Sequence, residues 1–162
     1  MPEMILLGWI HLIIAIVALI AGFYTLWKYQ FILAENQSGR IYLICTLLSA
    51  VTALGIYNQG GFGPAHMLAI LTLLALTGGF LIDKIPVFAG IADYFRAWCY
   101  SITLLFHMIP AITDGLLRLP IGDPVLTNPH DPLLRQFYLL FLVLFLIGFA
   151  AQVVKLRRQK QA

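Results

Sequence analysis

Three histidines and one aspartate could do chemistry in an unusual setting in this sequence. His11, His66 and His107 lie within or at the start of long apolar runs, and Asp114 follows His107 by seven residues, two helical turns. Neutral imidazoles bind iron, copper or zinc, and two that face each other across helices can hold a b-type haem. We therefore consider His11 and His107 as haem ligands, and His11, His66 and Asp114 as ligands of a transition metal.

The composition decides in which solvent these residues lie. The chain has 162 residues, of which 61% are hydrophobic and 10% are charged, and its mean hydropathy is +0.92. A soluble domain carries about a quarter charged residues. The sequence therefore predicts an integral membrane protein, in which residues 1–162 form a single domain.

Five apolar runs approach or exceed the helix length that crosses about 30 Å of hydrocarbon. They cover approximately residues 4–27, 41–57, 65–82, 97–119 and 136–154. The expected fold is an all-α bundle of five transmembrane helices, with the two termini on opposite sides.

The basic residues predict the orientation of this bundle. With the C-terminus inside, eight basic residues are cytoplasmic (Lys28, Arg40, Lys84, Arg96, Lys155, Arg157, Arg158, Lys160), and Arg118 and Arg135 alone are outside. The positive-inside rule then places the N-terminus outside and the C-terminus in the cytoplasm. This excess of basic residues on the inner side explains the sequence pI near 9.0. We therefore expect the lipid bilayer as partner and no nucleic acid. Whether another membrane protein or a second copy of the chain is also a partner stays open.

The polar groups of the membrane segments are concentrated in the outer half. From a rise of 1.5 Å per residue, His66 lies roughly 3 Å, Asp114 roughly 7 Å, His11 roughly 10 Å and His107 roughly 18 Å below the outer boundary. Arg118 follows Asp114 at the spacing of a helix-surface ion pair. We expect the stripe of His107, Asp114 and Arg118 to face the interior of the bundle, because intramembrane ionisable groups usually serve a function.

Two classes of function are compatible with these residues. One is a membrane protein that holds haem b or a transition metal for redox or metal handling. The other is a non-catalytic subunit, assembly factor or permeation element, in which the same groups serve packing or proton transfer. Whether the protein is an enzyme stays open, since the sequence has no phosphate loop, H-E-x-x-H or C-x-x-C motif.

Several residues also have structural interpretations. His66 suits a helix start, and His130 suits a solvated loop. Glycines within the spans, such as Gly22 and Gly79, favour close helix packing, although they could also make room for a flat cofactor.

Short motifs in the first four spans resemble a family of bacterial predicted membrane proteins of unknown function. The matching positions are His11, Gly39-Arg40-x-Tyr42, Gly61-x-Gly63 and Arg96-x-Trp98-x-x-Ser101. The chain departs from that family at residues 36–38 and 94–95, where the family often has histidines. The resemblance implies a multi-pass protein of the bacterial inner membrane and carries no settled activity.

Overall fold

A computed structural model describes residues 6–56 and 61–161 of the chain. Within them the protein forms five α-helices: α1 (Leu6–Tyr29), α2 (Gln37–Leu54), α3 (Pro64–Leu81), α4 (Ala92–Arg118) and α5 (Pro132–Gln161). Each is long and apolar enough to cross a membrane. The predicted all-α, multi-pass fold is thereby confirmed.

The helix ends differ from the predicted span ends in a consistent way. Helices α2 and α4 begin at Gln37 and Ala92, four and five residues before the predicted starts, and α5 runs from Pro132 to Gln161. A helix continues into polar surroundings after its apolar run has stopped, because its backbone hydrogen bonds are internal. The predicted start of the first span, at Met4, and the predicted end of the second span, at Tyr57, lie outside the described residues.

Consecutive helices pack against each other, and α4 returns to contact α1 as well as α3. The core where α1, α2 and α4 meet contains Ala18, Tyr42, Tyr100 and Leu104. A Cβ added to Gly22 would lie 2.8 Å from the ring of Tyr42, so the glycine lets α1 and α2 approach closely. The interpretation of this glycine as a packing residue is therefore correct.

The outward faces of the helices are apolar. Ile20 on α1 is 66% exposed and Ile147 on α5 is 62% exposed, and both belong to a large set of exposed aliphatic and aromatic side chains. Water would penalise such a surface, whereas lipid tails do not. This surface is that of an integral membrane protein.

One end of the bundle is rich in charged contacts. Arg96 at the start of α4 pairs with Asp83 and, at 2.8 Å, with Asp93, and Lys160 of α5 lies 3.2 Å from Asp93. Two 3₁₀ turns (Ile82–Lys84 and Pro86–Phe88) connect α3 to α4 at this end. We call it the basic end, because it carries most of the lysines and arginines. That it faces the cytoplasm stays a prediction.

Candidate functional site

His11 lies on the face of α1 that packs against α2. Its Nδ1 is 3.1 Å from the carbonyl oxygen of Ser49 and 3.1 Å from the hydroxyl of Thr52. A carbonyl oxygen can only accept a hydrogen bond, so Nδ1 carries the proton and donates. The Thr52 hydroxyl gives its own proton to carbonyls of α2 and therefore also accepts from His11. In neutral His11, Nε2 is consequently the unprotonated nitrogen.

Tyr42 of α2 and Thr103 of α4 form a hydrogen bond whose direction is fixed. The Thr103 hydroxyl donates to the carbonyl of Tyr100 at 2.7 Å, so the Tyr42 hydroxyl donates to Thr103 at 2.6 Å. Both side chains are fully buried, and their bond joins α2 to α4 in the interior of the bundle.

His107 lies one helical turn beyond Thr103 on α4 and binds α2 through one ring nitrogen. Its Nε2 lies 3.2 Å from the Thr46 hydroxyl. Either group can donate in this bond, and the tautomer of the ring decides which one does. The side chain is buried, with 8% exposed.

We call this set of side chains between α1, α2 and α4 the polar seam. It consists of His11, Tyr42, Thr46, Ser49, Thr52, Thr103 and His107. It joins the three helices in the interior of the bundle, where polar groups require partners.

Asp114 occupies a different environment from the one predicted. It accepts a hydrogen bond from Nε of Arg118 at 3.1 Å, which confirms that ion pair, but its side chain is 60% exposed. The expectation that His107, Asp114 and Arg118 share an inward-facing stripe is therefore wrong for Asp114 and Arg118. Two turns beyond His107 the ion pair lies at the surface, although Thr113 beside it still bonds Tyr138 of α5.

His66 has the helix-start role. It lies in the first turn of α3, where its Nδ1 accepts a hydrogen bond from the backbone N–H of Gly63 at 3.2 Å, and its ring stacks on Phe62. No group of three or more His, Cys, Asp or Glu side chains that could hold a metal occurs in residues 6–56 and 61–161. The predicted metal set of His11, His66 and Asp114 is thus not assembled. His130 is exposed in the loop before α5, as expected.

A haem held by His11 and His107 stays a prediction. His107 contacts α2 at Thr46 through Nε2, whereas His11 contacts it at Ser49 and Thr52, three and six residues further on. The contact points are thus offset along α2 by roughly 5–9 Å. Neither histidine lines the cavity of about 480 Å³ that lies between α1 and α5.

The sequence analysis missed most of the polar seam, although α2 carried a signal. Tyr42, Thr46, Ser49 and Thr52 recur every three or four residues, which places them on one face of an otherwise apolar helix. A polar stripe on a membrane helix has to face protein rather than lipid. The sequence analysis also missed Gln152, a strongly polar residue deep in the apolar run of α5.

The fold and the seam define the class of the protein as a multi-pass helical membrane protein with buried histidines. No family model, curated protein or solved structure matches the chain. The resemblance to the bacterial membrane family therefore stays a prediction.

Proposed function

We propose that the protein is a non-catalytic component of the bacterial inner membrane that accepts protons at a site formed by His11 and His107. This is the second of the two function classes that the sequence allows. The observation that supports it most is that each histidine contacts α2 through one ring nitrogen. Within residues 6–56 and 61–161 the other nitrogen, Nε2 of His11 and Nδ1 of His107, makes no hydrogen bond to the protein and is left for a transferable proton.

The position of Asp114 suggests the side from which protons arrive. It lies exposed near the end of α4 that is opposite the basic end, and this is the outer end in the predicted orientation. A carboxylate at the surface attracts cations. His11, half-buried, would take the proton first, and buried His107 would take it second.

Proton movement in proteoliposomes tests this proposal. With a membrane potential imposed and a pH-sensitive dye enclosed, vesicles that contain the protein should acidify faster than protein-free vesicles. His11→Gln and His107→Gln should each remove most of the difference, because glutamine keeps a hydrogen bond but does not titrate. His130→Gln is the matched control and should behave as wild type. Equal rates in wild type and in both seam variants would contradict the proposal.

A second candidate, ligation of haem or a metal by His11, is favoured by one observation. Proteins orient metal-binding imidazoles by letting the other ring nitrogen donate to a carbonyl, and Nδ1 of His11 donates in this way to Ser49. The remaining ligands would have to come from a second copy or from another membrane protein. A Soret band or a stoichiometric metal in the purified protein, lost in His11→Ala, would support this candidate over proton transfer.

A further inference from the structure

A groove runs between the first and the last helix. Its cavity of about 480 Å³ has walls from Phe23 and Leu26 of α1 and from Phe141 and Phe145 of α5, with Leu104 of α4 among the residues between them. We call it the α1–α5 groove. Its size is within the range of small-molecule sites, about 300–1,000 Å³.

The α1–α5 groove has a polar end at the basic end of the bundle. Gln152 accepts a hydrogen bond from the buried Ser101 hydroxyl at 3.0 Å and donates to the carbonyl of Gln30 at 2.8 Å. Lys155 donates to the side chain of Gln30 at 2.7 Å and lies over the ring of Phe31. These bonds join α5 to the end of α1 and fix Lys155 at the mouth of the groove.

The backbone of Gln30 is part of this construction. It has a φ of 66°, a left-handed conformation in a residue other than glycine. Its N–H still bonds the carbonyl of Leu26 at 2.9 Å, so it ends α1, while its own carbonyl accepts from Gln152. Such a conformation persists where surrounding contacts hold it. The polar end of the groove is therefore a built feature of the protein.

The groove is long enough for the tail of a lipid. From Phe141 to Lys155, α5 rises by about 21 Å, and one leaflet of the hydrocarbon core, which a lipid tail spans, is about 15 Å thick. An α-helix about 10 Å across and 21 Å long would fill roughly 1,600 Å³, so a partner helix would lie over the groove with only its side chains inside, whereas a single acyl chain is narrow enough to enter the cavity of about 480 Å³.

We propose that the α1–α5 groove binds one acyl chain of an anionic phospholipid, whose phosphate contacts Lys155. The ammonium group has three N–H donors, and one is engaged by Gln30. The other two can reach phosphate oxygens at the membrane surface. Basic pockets between transmembrane helices bind anionic headgroups in this way, and the occupant is already present in the bilayer. This site is separate from the polar seam and does not depend on the proposed proton transfer.

Two variants separate the headgroup contact from the chain contact. Lys155→Gln removes the charge and keeps a polar side chain, with Arg157→Gln, an exposed neighbour, as control. Gly148→Leu fills the groove, because Gly148 lines it and has nothing within 4 Å of an added Cβ. Gly115→Leu is its control, since Gly115 also has free space around it and is not among the residues lining the groove.

Native mass spectrometry of delipidated protein, incubated with phosphatidylglycerol or phosphatidylcholine, measures the binding. Wild type and both controls should retain phosphatidylglycerol in preference to phosphatidylcholine. Lys155→Gln should lose the preference, and Gly148→Leu should retain neither lipid while its thermal unfolding stays that of wild type. Equal retention of the two lipids by wild type, or unchanged retention in both variants, would overturn the proposal. A wild-type dimer that Gly148→Leu dissociates would overturn it in favour of a second copy.

Discussion

Removing a single oxygen atom from Tyr42 tests the hydrogen bond that joins α2 to α4 in the polar seam. In Tyr42→Phe the ring stays in place against Gly22, so the change creates no cavity. The variant loses the bond to Thr103. An interhelical side-chain hydrogen bond in a membrane protein contributes about 0.6 kcal/mol on average and at most about 1.7. The expected loss in the free energy of unfolding is therefore about 0.6–1.7 kcal/mol.

The protein provides a matched control for this measurement. The Tyr138 hydroxyl lies 2.6 Å from that of Thr113, which donates to the carbonyl of Ile109 at 2.7 Å. This repeats the Tyr42–Thr103 geometry away from the histidines. Tyr138→Phe should therefore destabilise the protein by a similar amount, because it too loses one bond between two hydroxyls. Unfolding by a denaturing detergent in mixed micelles compares the two variants.

Nitrogen NMR of ¹⁵N-histidine protein tests the direction assigned to the bonds of His11. Wild-type His11, identified by its loss in His11→Gln, should carry its proton on Nδ1, because the Ser49 carbonyl can only accept. An Nε2–H tautomer of His11 would refute that direction, and a Tyr42→Phe variant as stable as the wild type would refute the bond between Tyr42 and Thr103.

Three further predictions concern packing, the surface ion pair and orientation. Gly79→Ala should destabilise the protein by about 1–3 kcal/mol, because the added Cβ would lie 2.5 Å from the ring of Tyr100. Thermal unfolding measures this loss. The control Gly115→Ala should cost nothing, because Gly115 has free space around it. Asp114→Asn should lower stability by at most about 0.5 kcal/mol, as is usual for exposed helix pairs, and Arg118→Gln in the same chain should add no more; a much larger loss would show that the ion pair is buried in the membrane. A reporter fused to the C-terminus should be active only in its cytoplasmic format, and activity of an exported-only reporter would reverse the orientation.

The five helices could be predicted from the sequence because the length of an apolar run is set by the thickness of the membrane. The ends could not be predicted to the residue. The last two turns of α5 contain Lys155 and Lys160. A helix continues through such residues when their side chains bond neighbouring segments of the protein, as Lys155 bonds Gln30 and Lys160 bonds the carbonyl of Gly90. An apolar pattern ends where the lipid ends, whereas a helix ends where its backbone finds other partners.

The histidines illustrate a second limit. Spacing placed His107 and Asp114 on one side of α4, and it predicted correctly that Arg118 pairs with Asp114. It could not show that His107 has α2 beside it, whereas Asp114 has open surroundings. Helical periodicity gives the angle of a side chain around its own axis, but how far the neighbouring helix extends is a property of the packed bundle. For the same reason the sequence left open whether the His66 side chain bonds the backbone at the start of its own helix, as it does at Gly63.

The order of the helices along the chain has a consequence for biosynthesis. Ser49 and Thr52 obtain their partner, His11, once α1 and α2 form a hairpin. Tyr42 and Thr46 wait for Thr103 and His107, which are synthesised two helices later. A nascent chain released after α3 would therefore expose unpaired hydroxyls to lipid, whereas one released after α4 already holds every residue of the polar seam. The fifth helix adds nothing to the polar seam, and its own polar contribution to the interior is the separate bond between Gln152 and Ser101.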